Sequence, residues 1–179
     1  EVIELRELVK ESVRLYGSAP GFKFKDRAGN IVCKTYEELD KDIDCLGTAL
    51  LSLGLKGSRI AILSENRYEW GVSYLAIVNG TGIVVPLDKY LPKNEVENLV
   101  GRGKVEAIFY SPAFHYMMME VAKTSNHLKY FICMEKIPET GEKGDKVLNF
   151  PDLIEKGKRL LESGEKSFTD APIDRDGMS

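Results

Sequence analysis

Hydrophobic residues along this chain occur in two patterns, short continuous runs and longer stretches in which they recur every three or four positions. The continuous runs cover residues 60–63, 83–85, 105–109 and 130–133. Because strands that are buried on both faces are apolar throughout, each run is predicted to be a strand of a parallel sheet. The stretches between them have helical spacing. Together they predict a doubly wound, mainly parallel α/β sheet with helices on both faces and right-handed crossovers.

The stretch 59–88 is predicted to be one complete strand–helix–strand unit. Asn66 is a suitable N-cap, and Glu69 stands three positions later, which is the arrangement of a capping box. Trp70 and Tyr74 recur at helical spacing, so we expect Trp70 to be largely buried against the sheet. Glycines at positions 80 and 82 end the helix before the second strand.

The remaining segments add an N-terminal helix and a β-hairpin to this sheet. Helical spacing covers residues 4–16, a hairpin turns at 26–30, and Thr35 with Glu38 forms a capping box for the next helix. Further helices are predicted to begin with Pro92 at the first position, at Ser111 and at residue 151. We therefore expect a single α/β domain over 1–179, with a mobile charged loop at 135–147 and a tail without a strong pattern at 164–179.

Composition excludes several classes of protein. Hydrophobic residues make up 43% and charged residues 30%, and the net charge is −3 without a basic stripe, so no nucleic-acid partner is expected. No apolar run approaches the roughly 20 residues of a transmembrane segment. The charged N-terminus lacks a signal-peptide core. Cys33, Cys45 and Cys133 are widely spaced, which predicts free buried thiols and a cytoplasmic protein.

Catalytic machinery is not visible in the residues themselves. No phosphate-binding glycine motif is present, no metal-ligand spacing occurs, and His115 and His127 lack clustered partners, so a structural or solvated role is favoured for both. In open parallel sheets, ligands bind beyond the carboxyl ends of the strands, here 64–67, 88–90 and 111–112. Each of these segments leads into a helix N-terminus, which favours anions. The alternative is that their polar residues only cap helices.

Two segments resemble signatures of a known family. Thr-Tyr-Glu-Glu-Leu at 35–39 resembles the first signature of the AMP-forming adenylate synthetases, Thr-Tyr-x-Glu-Leu. Residues 78–88 resemble the second, in which an alanine or glycine pair precedes a strand ending in Pro-Leu-Asp. Residues 59–70 fall between them at the expected distance. Residues 66–70 together with 80–88 are most similar to bacterial long-chain fatty acid–CoA ligases.

The resemblance implies the N-terminal part of a larger enzyme. The family's phosphate loop, adenine-site motif, ribose-binding aspartate, hinge and catalytic lysine have no counterpart here, and residues 171–179 resemble the approach to the strand before the phosphate loop. The full-length protein would use ATP, Mg²⁺ and CoA to activate a fatty acid through an acyl-adenylate. This chain alone is expected to be inactive and to bind none of these cofactors tightly.

The resemblance also implies which residues contact a ligand. By their position, the residues that would face the nucleotide part of CoA are Asp88, Lys89, Tyr90, Ser111 and His115. No catalytic residue and no metal ligand is assigned. Because apolar residues would lose their covering partners on truncation, a homodimer through that exposed surface is expected.

Two alternatives stay open. One is a non-enzymatic α/β binding module, which a stop codon after Ser179 in the gene would favour over a continuing glycine-rich loop. The other is an adenylation domain that loads a carrier protein instead of CoA.

Overall fold

A computed structural model describes residues 4–26, 29–137 and 146–172. The helices are α1 (Leu5–Tyr16), α2 (Tyr36–Ser52), α3 (Tyr68–Ala76), α4 (Lys93–Arg102), α5 (His115–Thr124) and α6 (Phe150–Glu162). The strands are β1 (Pro20–Lys25), β2 (Ile31–Thr35), β3 (Arg59–Leu63), β4 (Ile83–Leu87), β5 (Val105–Tyr110), β6 (Tyr130–Cys133) and β7 (Val147–Asn149). A π-helical turn spans Ile77–Thr81, and a 3₁₀ turn spans Pro112–Phe114.

Five strands form one parallel sheet in the order β4-β3-β5-β6-β7. The four predicted strands are parallel neighbours, as their continuous apolar runs indicated. Strand β7 was not predicted. The predicted hairpin is also confirmed, since β1 and β2 pair antiparallel as a separate two-stranded sheet.

Alternate residues of each strand feed two separate cores, one on each face of the sheet. In β3, Ile60 and Ile62 pack with residues of α2, α3 and α6, whereas Ala61 and Leu63 pack with residues of α4 and α5. All four of these side chains are fully buried. The doubly wound architecture with helices on both faces is therefore confirmed, and β3 lies inside it between β4 and β5.

The two predicted capping boxes have different outcomes. Thr35 accepts from the Glu38 main chain while the Glu38 side chain accepts from the Thr35 main chain, as predicted. The capping box at Asn66 is wrong, because α3 begins at Tyr68 after Arg67 and the Glu69 carboxylate binds Arg67 instead. Helix α4 likewise begins one residue later than predicted, with Pro92 as its N-cap.

The structure refines one expectation about side-chain burial and corrects another. Trp70 is partly buried, packs against the core and stacks on Tyr74 with ring centroids 5.3 Å apart, while Tyr68 is the more deeply buried aromatic residue of α3. The three cysteines are free thiols, but Cys33 is exposed. Burial raises the pKa of the Cys45 thiol to about 11, which keeps it protonated and unreactive at neutral pH.

Parts of the predicted loop and tail make specific contacts. Glu135 forms an ion pair with Arg67, and Val147 lies in β7. In the tail, Phe168 is almost completely buried in the core under α2. Residues 138–145 and 173–179 lie outside the described residues, so the mobility expected for the loop stays a prediction. Among the helices of the described ranges, none combines the length and apolar character needed to cross a membrane.

Candidate functional site

The carboxyl ends of four parallel strands meet at one edge of the sheet. Leu63 is in register with Leu87 of β4 and with Tyr110 of β5, and Tyr110 is in register with Cys133 of β6. The segments that follow these strands therefore lie side by side. This is the edge at which open parallel sheets bind ligands.

A hydrogen-bonded network of charged groups ties three of these segments together. Glu65, after β3, accepts a 2.6 Å hydrogen bond from the Ser111 hydroxyl after β5. Arg67 donates to Glu69 at 2.7 Å, to Glu135 after β6 at 2.9 Å and, more weakly, to Glu65 at 3.4 Å. The network thus spans the ends of β3, β5 and β6.

The network shifts the pKa of two of its members, Glu65 and Arg67. Partial burial opposes ionisation of Glu65, but the hydrogen bonds from Ser111 and Arg67 outweigh it and lower the pKa of this carboxyl. Burial also opposes the charge on Arg67, and its bonds to Glu69 and Glu135 outweigh that effect and raise the pKa of the guanidinium. Glu65 and Arg67 are therefore both charged at neutral pH.

His115 is held at the start of α5 by a buried tyrosine. The Tyr110 hydroxyl lies 3.0 Å from His115 Nδ1, and the two rings stack with centroids 5.9 Å apart. Burial, reinforced by the neighbouring Cys133 thiol, raises the pKa of Tyr110, so its hydroxyl stays protonated. In the tautomer that carries its proton on Nε2, His115 accepts from this hydroxyl at Nδ1.

The residues after β4 form an exposed turn. The Asp88 carboxylate accepts from the Tyr90 main chain at 2.9 Å, and Lys89 Nζ lies 5.0 Å from the centre of the Tyr90 ring. The Tyr90 side chain is 81% exposed. Asp88, Lys89 and Tyr90 thus present one carboxylate, one cation and one aromatic face to solvent at this edge of the sheet.

The five residues predicted to face CoA all lie at this edge, in two groups. Asp88, Lys89 and Tyr90 follow β4, whereas Ser111 and His115 follow β5, and β3 runs between the two strands. Ser111 is fully buried and does not cap the following turn with its side chain. Its hydroxyl supports Glu65 instead.

A surface pocket of about 600 Å³ opens beside this network, between it and the hairpin. It is lined by Phe24, Lys25, Asp26, residues 65–69 and Glu135. Sequence reasoning missed the roles of Glu65, Arg67 and Glu135, because their partners lie 46 and 68 positions away. Within the described ranges, no group of three or more His, Cys, Asp or Glu side chains is arranged to hold a metal ion.

Several curated proteins resemble this chain over much of its length. A crotonobetaine/carnitine–CoA ligase of Citrobacter koseri is 23% identical over 150 residues, which are 83% of this chain and 29% of the relative. Long chain acyl-CoA synthetase 1 of Arabidopsis thaliana is 24% identical over 144 residues, 76% of this chain and 22% of the relative. The chain thus spans less than a third of the length of these relatives.

Solved structures share the fold. A putative long-chain-fatty-acid CoA ligase of Rhodopseudomonas palustris superposes with a TM-score of 0.69 at 20% identity, covering 84% of this chain and 36% of that chain. Coronafacic acid ligase of Pectobacterium brasiliense gives a TM-score of 0.72 at 18% identity and covers 99% of this chain and 31% of that chain.

The family comparison covers nearly all of the described sheet and helices. Residues 11–172 match the family described as AMP-binding enzyme, and the match includes both segments that carry the sequence resemblance, 35–39 and 78–88. The parallel sheet and the ligase relatives agree with it. This chain therefore belongs to the AMP-binding enzyme family.

Proposed function

We propose that this chain is the N-terminal part of an ATP-dependent fatty acid–CoA ligase. The complete protein converts a fatty acid, ATP and CoA to acyl-CoA, AMP and pyrophosphate through an acyl-adenylate. The observation that carries the proposal is the family match over 11–172, together with relatives named as CoA ligases and acyl-CoA synthetases. Because the chain spans less than a third of those relatives, the activity is proposed for a longer protein, which we place in the cytoplasm.

The role proposed for this segment is to form part of the wall that faces CoA. Lys89 offers an exposed ammonium, and His115 offers a donor nitrogen at the start of α5. Both suit the phosphate groups of CoA, since helix N-termini and cations stabilise anions. Asp88 and Tyr90 shape the turn that carries Lys89, and Ser111 supports the edge through Glu65.

The described residues do not account for the rest of the chemistry. Their carboxylates form no metal-binding group, so no residue is assigned to Mg²⁺. Several carboxylates at the sheet edge are already engaged by Arg67 and Ser111. Groups that bind ATP and Mg²⁺ are expected outside this chain, and we assign the donors at the edge to CoA.

A second candidate function keeps adenylation but changes the acceptor. The nonribosomal peptide synthetase imqB of Aspergillus flavus is 30% identical over 93 residues, which are 51% of this chain. This favours an adenylation domain that transfers the acyl group to a carrier protein. The two candidates share the first half-reaction and differ in the thiol that accepts the acyl group.

Pyrophosphate exchange tests both the proposed inactivity of this chain and the proposed activity of the complete protein. The 179-residue chain, incubated with ATP and a panel of fatty acids, should give no exchange above a control without enzyme. The complete protein encoded by the gene should exchange pyrophosphate with one or more fatty acids and release AMP when CoA is added. Exchange by the 179-residue chain would contradict its assignment as an inactive part. If the complete protein exchanges pyrophosphate but releases AMP only when a carrier protein is added, this result would support the second candidate.

A further inference from the structure

Arg6 of α1 binds main-chain carbonyl groups from two distant parts of the chain. Its guanidinium donates to the carbonyls of Phe168 at 3.0 Å, Ala171 at 2.7 Å and Thr169 at 3.4 Å, and also to that of Asn79. Asn79 belongs to the π-helical turn before β4. One planar group with several fixed N–H donors therefore connects α1, this turn and the segment 168–171.

The same segment is anchored by the Phe168 side chain. This ring is 1% exposed, and the Arg6 guanidinium lies over it at 5.5 Å from its centre. Gly47 makes room for the ring, because a Cβ at this position of α2 would overlap it. Gly80 makes room for the guanidinium, since a Cβ there would lie 2.8 Å from Arg6 Nη2. Glycine at these two positions thus lets the backbone of α2 and of the π-helical turn lie close to Phe168 and Arg6.

Three of the carbonyls that Arg6 binds, those of Phe168, Thr169 and Ala171, belong to one short turn. Within it, the Asp170 amide donates to Lys166 and the Ala171 amide donates to Phe168, and no long helix or sheet holds the segment. A turn of this length has little stability of its own, because local hydrogen bonds alone rarely offset the entropy of ordering the chain. Its position therefore depends on Arg6 and Phe168.

We propose that Arg6 is a positioning residue that fixes where the chain leaves this domain. By holding the carbonyls of Phe168, Thr169 and Ala171 against the π-helical turn, it sets the position of Ala171, from which the chain continues. This role rests on the proposed function in one respect: in the complete ligase, the segment that follows would lead to the phosphate loop implied by the sequence resemblance.

Hydrogen exchange of the 179-residue chain tests the contact itself. Arg6→Gln is compared with Arg14→Gln, which removes the same charge from the same helix but disrupts only an exposed pair with Glu11. We expect the Asp170 and Ala171 amides to exchange about tenfold faster or more in the Arg6 variant, because hydrogen bonds to charged groups are lost. Amides of β3 and β5 should change by less than about twofold, and Arg6→Lys should be intermediate.

Two results of hydrogen exchange on the 179-residue chain would overturn this proposal. One is equal exchange of residues 168–171 in the Arg6→Gln and Arg14→Gln variants. The other is an exchange rate that rises equally at all amides of the Arg6→Gln variant. This would mean that Arg6 stabilises the whole domain and has no local role.

Steady-state kinetics of the complete protein test the positioning role. Arg6→Gln should raise the KM for ATP by about tenfold, with a smaller effect on the KM for CoA, while Arg14→Gln leaves both unchanged. An unchanged KM for ATP alongside faster exchange at 168–171 would overturn the positioning role. A wild-type protein without adenylation activity would refute the proposed function instead, and the exchange experiment would still decide the contact.

Discussion

The contact between α2 and α6 gives the sharpest prediction for stability, through Gly157. This glycine of α6 packs on the main chain of Cys45 in α2, and a Cβ at Gly157 would overlap the Cys45 carbonyl oxygen and carbon. Neither group can rotate away, because both belong to the backbone in the interior of a 17-residue helix. Gly157→Ala must therefore push the two helices apart.

Two opposing effects decide the size of the change. Alanine in place of glycine favours a helix interior by about 1 kcal/mol. Overpacking a core costs about 1–3 kcal/mol, and a clash with backbone belongs at the upper end of that range. The expected result is a net loss of about 2 kcal/mol in the free energy of unfolding. For a chain of this length, that corresponds to a melting temperature lower by about 4–8 °C.

Urea unfolding followed by circular dichroism measures this change, with Gly71→Ala as the matched control. Gly71 is also inside a helix, but its added Cβ would lie 3.9 Å from the nearest Phe22 atom, an ordinary contact. The control should therefore show only the helix-favouring effect of alanine, with a free energy of unfolding up to about 1 kcal/mol higher than that of wild type. A Gly157→Ala variant as stable as wild type would refute the packing argument, as would equal destabilisation of both variants.

Two further predictions follow from the charged network and the surface. The lowered pKa of Glu65 means that its contribution to stability is present above its ordinary value of 4.5 and is lost as the pH falls through the lower folded value. The stability difference between wild type and Glu65→Gln should accordingly be largest at neutral pH and shrink in acid; a difference independent of pH would contradict this. Sedimentation velocity should show concentration-dependent self-association, because Leu5, Leu8 and Leu15 on α1 are 42–54% exposed. A monomer at high concentration would argue against it, and loss of association in the complete protein would identify the dimer as a product of truncation.

The elements that could be predicted from the sequence are those that local patterns determine. Residues 60–63 of β3 are all apolar because both faces of the strand are covered, and this pattern can be recognised in the sequence without knowing which strands lie beside it. Thr35 and Glu38 satisfy each other within one turn. Strand β7 has only three residues, too few for a periodic signal. The pattern at Asn66 failed because Arg67 offered Glu69 a stronger, charged partner.

The details of the candidate site depend on contacts that no local pattern encodes. The sequence indicated the sheet edge and the segments 64–67, 88–90 and 111–112, since these follow apolar runs. It did not indicate that Glu65 binds Ser111 or that Arg67 binds Glu135, because the members of each pair come together only when parallel strands are placed side by side. Phe168 was missed for the same reason, as its neighbours Gly47 and Arg6 are distant in sequence.

The bond between Ser111 and Glu65 has a consequence for the edge as a ligand surface. Ser111 stands where an N-cap is expected, yet its hydroxyl donates to Glu65, and neither it nor Phe114 caps the turn or α5 through a side chain. Main-chain N–H groups at a helix start that lack a side-chain acceptor are the donors that bind anions. Because the Ser111 hydroxyl donates to Glu65, its side chain does not occupy the main-chain N–H groups that follow it. In the CoA-facing role proposed above, these main-chain N–H groups, together with the Lys89 ammonium at the same edge, would be the donors available to a phosphate group.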